Sequence, residues 1–157
     1  MAMHLENSGL NVAAIYRPLN NIFLNGIMEK IRLNHICKKQ IKKGKSGTRE
    51  LLQVFKDGYS IALMIDQRVS EGIKSKFFNR SALTTTIPAQ LVKKYNVEVV
   101  PVYIERKNGV YFKMQINKPI LFNENKSFEE ITDRLNKILE EMISKNPDQW
   151  IWSHDRW

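Results

Sequence analysis

One cysteine, three histidines, 16 acidic residues and no long apolar run are the scarcities of this 157-residue chain, and each excludes something. Cys37 alone cannot form an internal disulfide, and with no second thiol or His-Cys cluster it does not make a zinc site. A lone thiol favours a reducing, cytoplasmic setting. No apolar stretch approaches the roughly 18 to 20 residues that span a bilayer, and Met1-Ala2-Met3-His4 leads into no signal-peptide hydrophobic segment. Internal repeats are absent, and the lysines form the one biased segment. Neither a metal nor a bound organic cofactor is expected.

The acid shortage leaves 25 Lys and Arg against 16 Asp and Glu, a formal charge of +9. Such a field attracts nucleic acid, an anionic membrane face carrying phosphorylated lipid, or an acidic carrier protein, without choosing among them. Its strongest concentration is Lys38, Lys39, Lys42, Lys43 and Lys45, beside Gly44, Ser46 and Gly47. This tract reads either as a solvated loop or as a patch for phosphate, membrane or an acidic partner. With 43% hydrophobic residues, the chain is expected to bury one core as a single domain over residues 1–157.

Along the chain, short apolar runs alternate with helical periodicity. Val12-Ala13-Ala14-Ile15-Tyr16 reads as a buried strand stopped by Arg17-Pro18, because proline bars helical geometry from the residue before it. Phe23, Ile27, Ile31 and Asn34, with Ile22 and Met28 widening the apolar face, predict an amphipathic helix over residues 20–37. A shorter helix is expected over 49–56, then a buried strand over 60–65 ending at Asp66. Pro88 fits the first turn of a helix over 86–95 that Asn96 closes. Residues 97–104 read as the next buried strand, paired through Lys107-Asn108-Gly109 with 110–116 as an antiparallel hairpin. Ser127 and Glu130 form a capping box ahead of the stripe Phe128, Ile131, Leu135, Ile138, Leu139 and Met142. The fold class is therefore α/β, a largely parallel central sheet flanked by helices, with an antiparallel hairpin near the C-terminus.

Two strand ends carry the chemistry. Arg17, beside a rigid proline, can grip a phosphate or carboxylate through two parallel hydrogen bonds; alternatively it pairs with Asp66. Asp66 ends a buried strand, where a carboxylate needs a partner such as Arg17, Arg68 or a histidine. Gln67 offers an amide to a ligand. Thr84, Thr85 and Thr86 precede a helix start, where hydroxyls and free N–H groups either receive an anion or cap the helix. Trp150, Trp152 and Trp157 with Arg156 either pack on the sheet or form an interfacial anchor at anionic lipid.

The segment M-I-D-Q-R-V-S-E-G-I-K-S-K-F-F-N-R-S-A-L-T-T-T-I-P, taken with Tyr16-Arg17-Pro18 and the terminal P-D-Q-W-I-W-S-H-D-R-W, resembles the bacterial lipid A biosynthesis acyltransferases over nearly the whole chain. Gly72, Phe77 and Phe78 match the family loop, with Asn79 where glycine is common. The resemblance implies transfer of a fatty acyl group from acyl carrier protein to a hydroxyacyl chain of a phosphorylated glucosamine lipid. It also implies a peripheral place on the cytoplasmic face of the bacterial inner membrane. By the same resemblance Arg17 lines the acceptor pocket, Asp66 supports the active centre and Gln67 contacts substrate, with Arg68, Thr84 and Thr85 completing the substrate-binding set.

The family's catalytic signature is His-x-x-x-x-Asp/Glu, since acyl transfer needs a base held by a carboxylate. Five positions beyond His4 stands Gly9, beyond His35 stands Gln40, and His154 has too few residues after it. No histidine here satisfies the motif, so no catalytic residue is assigned. The chain is expected to be incomplete at its N-terminus, corresponding to the C-terminal part of an acyltransferase without its anchor. A non-catalytic basic lipid-binding or accessory domain is the rival. A nucleic-acid-binding protein fits the charge and lacks any recognisable motif, so nucleic acid is not expected.

Overall fold

Alanine and β-branched residues between Val12 and Tyr16 suit a strand covered on both faces, and Pro18 stops it. In the computed structural model this segment, β1 (Val12–Tyr16), is the middle of a three-stranded parallel sheet between β2 (Lys39–Lys42) and β3 (Ser60–Ala62). Ala13 lies opposite Lys39 on one side and Ile61 on the other. The structure describes residues 1–153 and 155–157, with side chains excepted at Lys45, Ser46 and Thr48. These residues gather in two compact units, Met1–Leu63 and Met64–Trp157.

The first unit holds the parallel sheet with helices α1 (Ala2–Asn7), α2 (Ile22–His35) and α3 (Lys45–Lys56). Ala2, Val12 and Cys37 form its small core, with Leu5, Ala14 and Ala62 packed around them. Burial pushes the Cys37 thiol above its ordinary pKa, which suits an inert packing residue. The lysine tract is not a loop: Lys39–Lys42 is an edge strand that buries Ile41 and turns Lys42 to solvent, a charged edge that discourages further pairing. Helix α3 begins earlier than its apolar spacing predicts. Gly44, at φ +140°, turns the chain into it, and Gly47 lets its first turn lie on the Lys42 carbonyl, where a Cβ would overlap the oxygen.

Helix α2 departs most from expectation. Its helical period is as the spacing predicts, and the structure adds a cap at Asn21, whose Oδ1 accepts from the Phe23 and Leu24 N–H groups at 3.0 and 3.2 Å. Its orientation is reversed. The face laid on the unit is polar: Tyr16 donates to Glu29 Oε1 at 2.9 Å, Asn25 Nδ2 donates to the same oxygen at 2.8 Å, and Arg32 stacks 4.8 Å from the Tyr16 ring centroid. In this orientation the Tyr16 hydroxyl has its acceptor, and Phe23, Ile27 and Ile31 are turned outward.

Strand β3 also ends short of the expected 65. The chain leaves the ladder after Ala62, and Ile65 enters the core of the second unit, beside Ala89, Val92, Phe122, Ile131 and Leu135. Asp66 consequently lies in a loop rather than at a strand end. Between this loop and α4 the family loop turns out to be a hairpin. Its strands β4 (Ile73–Phe77) and β5 (Arg80–Thr84) pair antiparallel through Phe78 and Asn79. Both turn residues have positive φ, 48° and 59°, as a tight two-residue hairpin turn requires.

Helix α4 (Ile87–Tyr95) carries Pro88 in its first turn and ends on left-handed Asn96, as expected. The run 97–104 is not one buried strand. Val99 bridges Ile120 alone, Pro101 interrupts the ladder, and β6 (Val102–Asn108) pairs with β7 (Tyr111–Ile116) as a largely exposed hairpin. Helix α5 (Phe128–Ile143) starts at its capping box, with Ser127 Oγ accepting from Glu130 N–H at 3.1 Å and Glu130 Oε2 accepting from Ser127 N–H at 2.8 Å. The α/β class stands, with the parallel sheet in the first unit and both antiparallel pairs in the second.

Gly72 sits where a Cβ would overlap the Thr84 carbonyl and lie 2.7 Å from Val69 Cγ2. Gly72→Ala should therefore force the base of the β4–β5 hairpin apart and destabilise by about 1–3 kcal/mol; an unchanged urea midpoint would contradict that packing. Hydrogen bonds from Tyr16, Lys107 and Lys126 hold Glu29, Glu105 and Glu130 below the usual carboxylate range. Their contribution is present above the unfolded value of about 4.3 and is lost as pH falls through the lower folded values. Melting temperature should drop on acidification below about pH 4, and Glu130→Gln should blunt that drop.

Candidate functional site

Thr84 ends β5 with its side chain inside the second unit, 1% exposed. Its hydroxyl accepts from Asn136 Nδ2 at 3.0 Å and from Arg156 Nη2 at 2.9 Å, and donates to the Ala82 carbonyl at 3.3 Å. Asn136, on α5, also donates to Ser75 Oγ at 2.7 Å, and Ser75 donates to Asp133 at 2.6 Å. Strand and helix are thus joined by a chain of buried polar contacts, in which each satisfied group counts heavily.

Arg156 closes this chain from the other side. It is fully buried, donates through Nη1 to the Leu83 carbonyl at 2.7 Å, and lies 5.0 Å from the Phe77 ring centroid. Desolvation lowers its pKa, and the negative charge of Asp66 works in the opposite direction. Asp66 is half-buried with Oδ1 shielded from solvent and unbonded among the described residues, and the Nε of Arg156 is likewise unbonded. Asp66 thus lies close enough for its charge to act on Arg156, without a hydrogen bond or ion pair between the two. The expected local alternative, Arg68, is exposed and pairs with Asp155 at 3.4 Å.

Phe77 anchors the aromatic residues of the tail. Trp150 and Trp157 each lie 5.8 Å from it by ring centroid, and Trp157 Nε1 donates to the Phe77 carbonyl at 3.0 Å. These two pack on the unit. Trp152 is half-exposed and donates to the Pro147 carbonyl. Gln149 exchanges two hydrogen bonds with the Arg106 backbone, at 2.9 and 3.0 Å, fixing the Pro147–Gln149 turn to β6.

The other expected site residues are spread. Arg17 is exposed immediately after β1 in the first unit, whereas Asp66, Gln67, Arg68, Thr84 and Thr85 belong to the second. Gln67 is exposed; Thr85 Oγ1 accepts from the Ile87 N–H at 3.4 Å, as a helix-start hydroxyl does. Lys38, Lys42 and Lys43 are exposed, Lys39 pairs with Glu50 at 3.1 Å, and the Lys45 side chain lies outside the described residues. His4 and His35 are both exposed, and His154 lies outside the described residues. Among the described residues no histidine is hydrogen-bonded to a carboxylate, and no group of three or more His, Cys, Asp or Glu converges for a metal. Sequence reasoning overlooked Arg156 as the internal cation; the signal was an arginine set among tail tryptophans and a buried aspartate needing a counter-charge.

A family model described as bacterial lipid A biosynthesis acyltransferase matches residues 1–157. A search of curated protein sequences finds no significant match.

Arg156→Met should leave the Leu83 carbonyl only its long 3.5 Å bond from the Val69 N–H and remove a donor from the Thr84 hydroxyl, costing about 2–4 kcal/mol in chemical denaturation. Asp66→Asn should cost less, because the guanidinium keeps its bonds to Leu83 and Thr84. Arg68→Met, at an exposed pair, should stay within about 0.5 kcal/mol of wild type. Equal effects at Arg68 and Arg156 would refute the distinction.

Proposed function

Since the chain belongs to the bacterial lipid A biosynthesis acyltransferase family, we propose that it takes part in the family's transfer of a fatty acyl group from acyl carrier protein to a hydroxyacyl chain of a phosphorylated glucosamine lipid. The observation that carries this reading is the match of the family model to all 157 residues. On this reading the chain is one acyltransferase-like domain. Exposed Arg17 grips an acceptor phosphate through its planar fork, and Gln67, Arg68 and Thr85 offer polar groups to substrate. Asp66 fixes its loop from within.

The charge of +9 suits an acidic carrier protein and a phosphorylated acceptor alike. Exposed Lys38, Lys42 and Lys43 add attraction to an anionic membrane surface. No described helix is long and apolar enough to cross a membrane. The family's reaction supports a peripheral place for this chain, at the cytoplasmic face of the inner membrane.

One observation favours a second reading, a non-catalytic lipid-binding or accessory role. His4 and His35 are solvent-exposed, and neither has an acid five positions on. Without an oriented base the hydroxyl proton of the acceptor has nowhere to go. Purified chain given labelled lauroyl-acyl carrier protein and a phosphorylated lipid A precursor is expected to release no lauroylated product above a no-protein control. It should still bind the precursor, and Arg17→Lys should weaken that binding severalfold while leaving the melting temperature unchanged. Turnover well above the control would mean that a base outside the family motif operates here. Binding indifferent to Arg17 would remove that residue from the acceptor site.

A further inference from the structure

An amphipathic helix on a folded unit normally buries its apolar stripe and exposes its polar one. Helix α2 does the reverse. Asn25, Glu29 and Arg32, spaced i, i+4, i+7, are held at Tyr16 by hydrogen bonds and ring stacking. Phe23, Ile27 and Ile31, spaced i, i+4, i+8, form the outward stripe, flanked by Ile22 and Leu24. Exposure reaches 85% at Ile22, 91% at Phe23 and 57% at Ile27, far beyond the singly exposed apolar residues that need no explanation.

The charge of the unit that carries this face selects its occupant. Glu29 is the only carboxylate of α2, and it is turned inward with its charge engaged by Tyr16 and Asn25. Lys30 on the helix and Arg17, Lys38, Lys42 and Lys43 beyond its ends are exposed cations. Residues 1–63 hold ten Lys and Arg against four Asp and Glu, a surplus of six positive charges. Two copies meeting through α2 would bring like surpluses together. A bilayer with anionic headgroups instead offers hydrocarbon to the stripe and counter-charge to the lysines.

We infer that α2 is an interfacial helix, lying in the plane of an anionic bilayer with Ile22, Phe23, Leu24, Ile27 and Ile31 below the headgroups. This rests on the membrane-surface reading of the proposed function and deepens it by naming the element that enters the apolar layer. Attachment consequently has two separable parts, a salt-sensitive one from the lysines and a salt-resistant one from the stripe.

The test is sedimentation of the full chain with vesicles of phosphatidylethanolamine and phosphatidylglycerol, at low and high salt. Wild type should retain binding at high salt. The triple variant Ile22→Ser, Phe23→Ser, Ile27→Ser should lose that component by tenfold or more, while Lys42→Ser with Lys43→Ser should lose mainly low-salt binding. Because the three stripe residues are exposed, circular dichroism and melting of the triple variant should match wild type. Equal salt-resistant binding by triple variant and wild type would overturn the proposal. So would a wild-type dimer, seen by light scattering without vesicles, that the triple substitution dissolves, or a nitroxide at position 23 closed to oxygen in the free protein. Binding of a water-soluble phosphorylated glucosamine disaccharide is measured alongside: its absence would count against the acyltransferase reading while leaving the vesicle result intact.

Discussion

The buried guanidinium of Arg156 is the point on which the second unit depends. It joins the end of β5, through Leu83 and Thr84, to the face of Phe77 on the neighbouring strand. Trp157, the next residue, hydrogen-bonds the Phe77 carbonyl and so tucks the tail against the same strand. A cation in such a place is tolerable only when it is bonded and charge-balanced. Leu83 and Thr84 supply the bonds, and Asp66 supplies the opposing charge.

That arrangement gives Asp66 a reason to exist apart from catalysis. Its loop begins where the chain abandons the parallel sheet after Ala62, with Ile65 driven into the core by hydrophobic burial. The Val69 N–H donates to the Leu83 carbonyl at 3.5 Å and ties the loop to β5, and the neighbours Gln67 and Arg68 are left at the surface. A half-buried aspartate followed by exposed Gln67 and Arg68 leaves the outer groups of this loop free to meet a ligand.

Features governed by local chemistry were legible in the sequence: Pro88 in a first turn, the helix stop at Asn96, and the Ser127 and Glu130 capping box. Each depends on backbone groups within a few positions. Elements whose form depends on distant partners were not. Helix α2 sets its polar residues at Tyr16, a contact 13 positions apart that the apolar periodicity of Phe23, Ile27 and Ile31 does not announce. The β4–β5 hairpin lacked the usual Asn-Gly signal, because its turn places a phenylalanine where glycine or asparagine is expected. Within the candidate site, the need of Asp66 for a cation was readable, but its partner lay 90 positions away in the tail. The role of Arg17 rests on the acyltransferase resemblance and not on a contact within its own unit.

Phe78 carries a consequence for the order in which the second unit assembles. A left-handed phenylalanine is costly, because its Cβ crowds the backbone, and a hairpin turning on it has little reason to form alone. Its N–H, however, donates to Glu140 Oε1 on α5 at 2.7 Å, across 62 residues of chain. Short hairpins usually organise early because their contacts are local. Here the turn gains from a bond that exists only with α5 docked, so hairpin and helix are expected to form together.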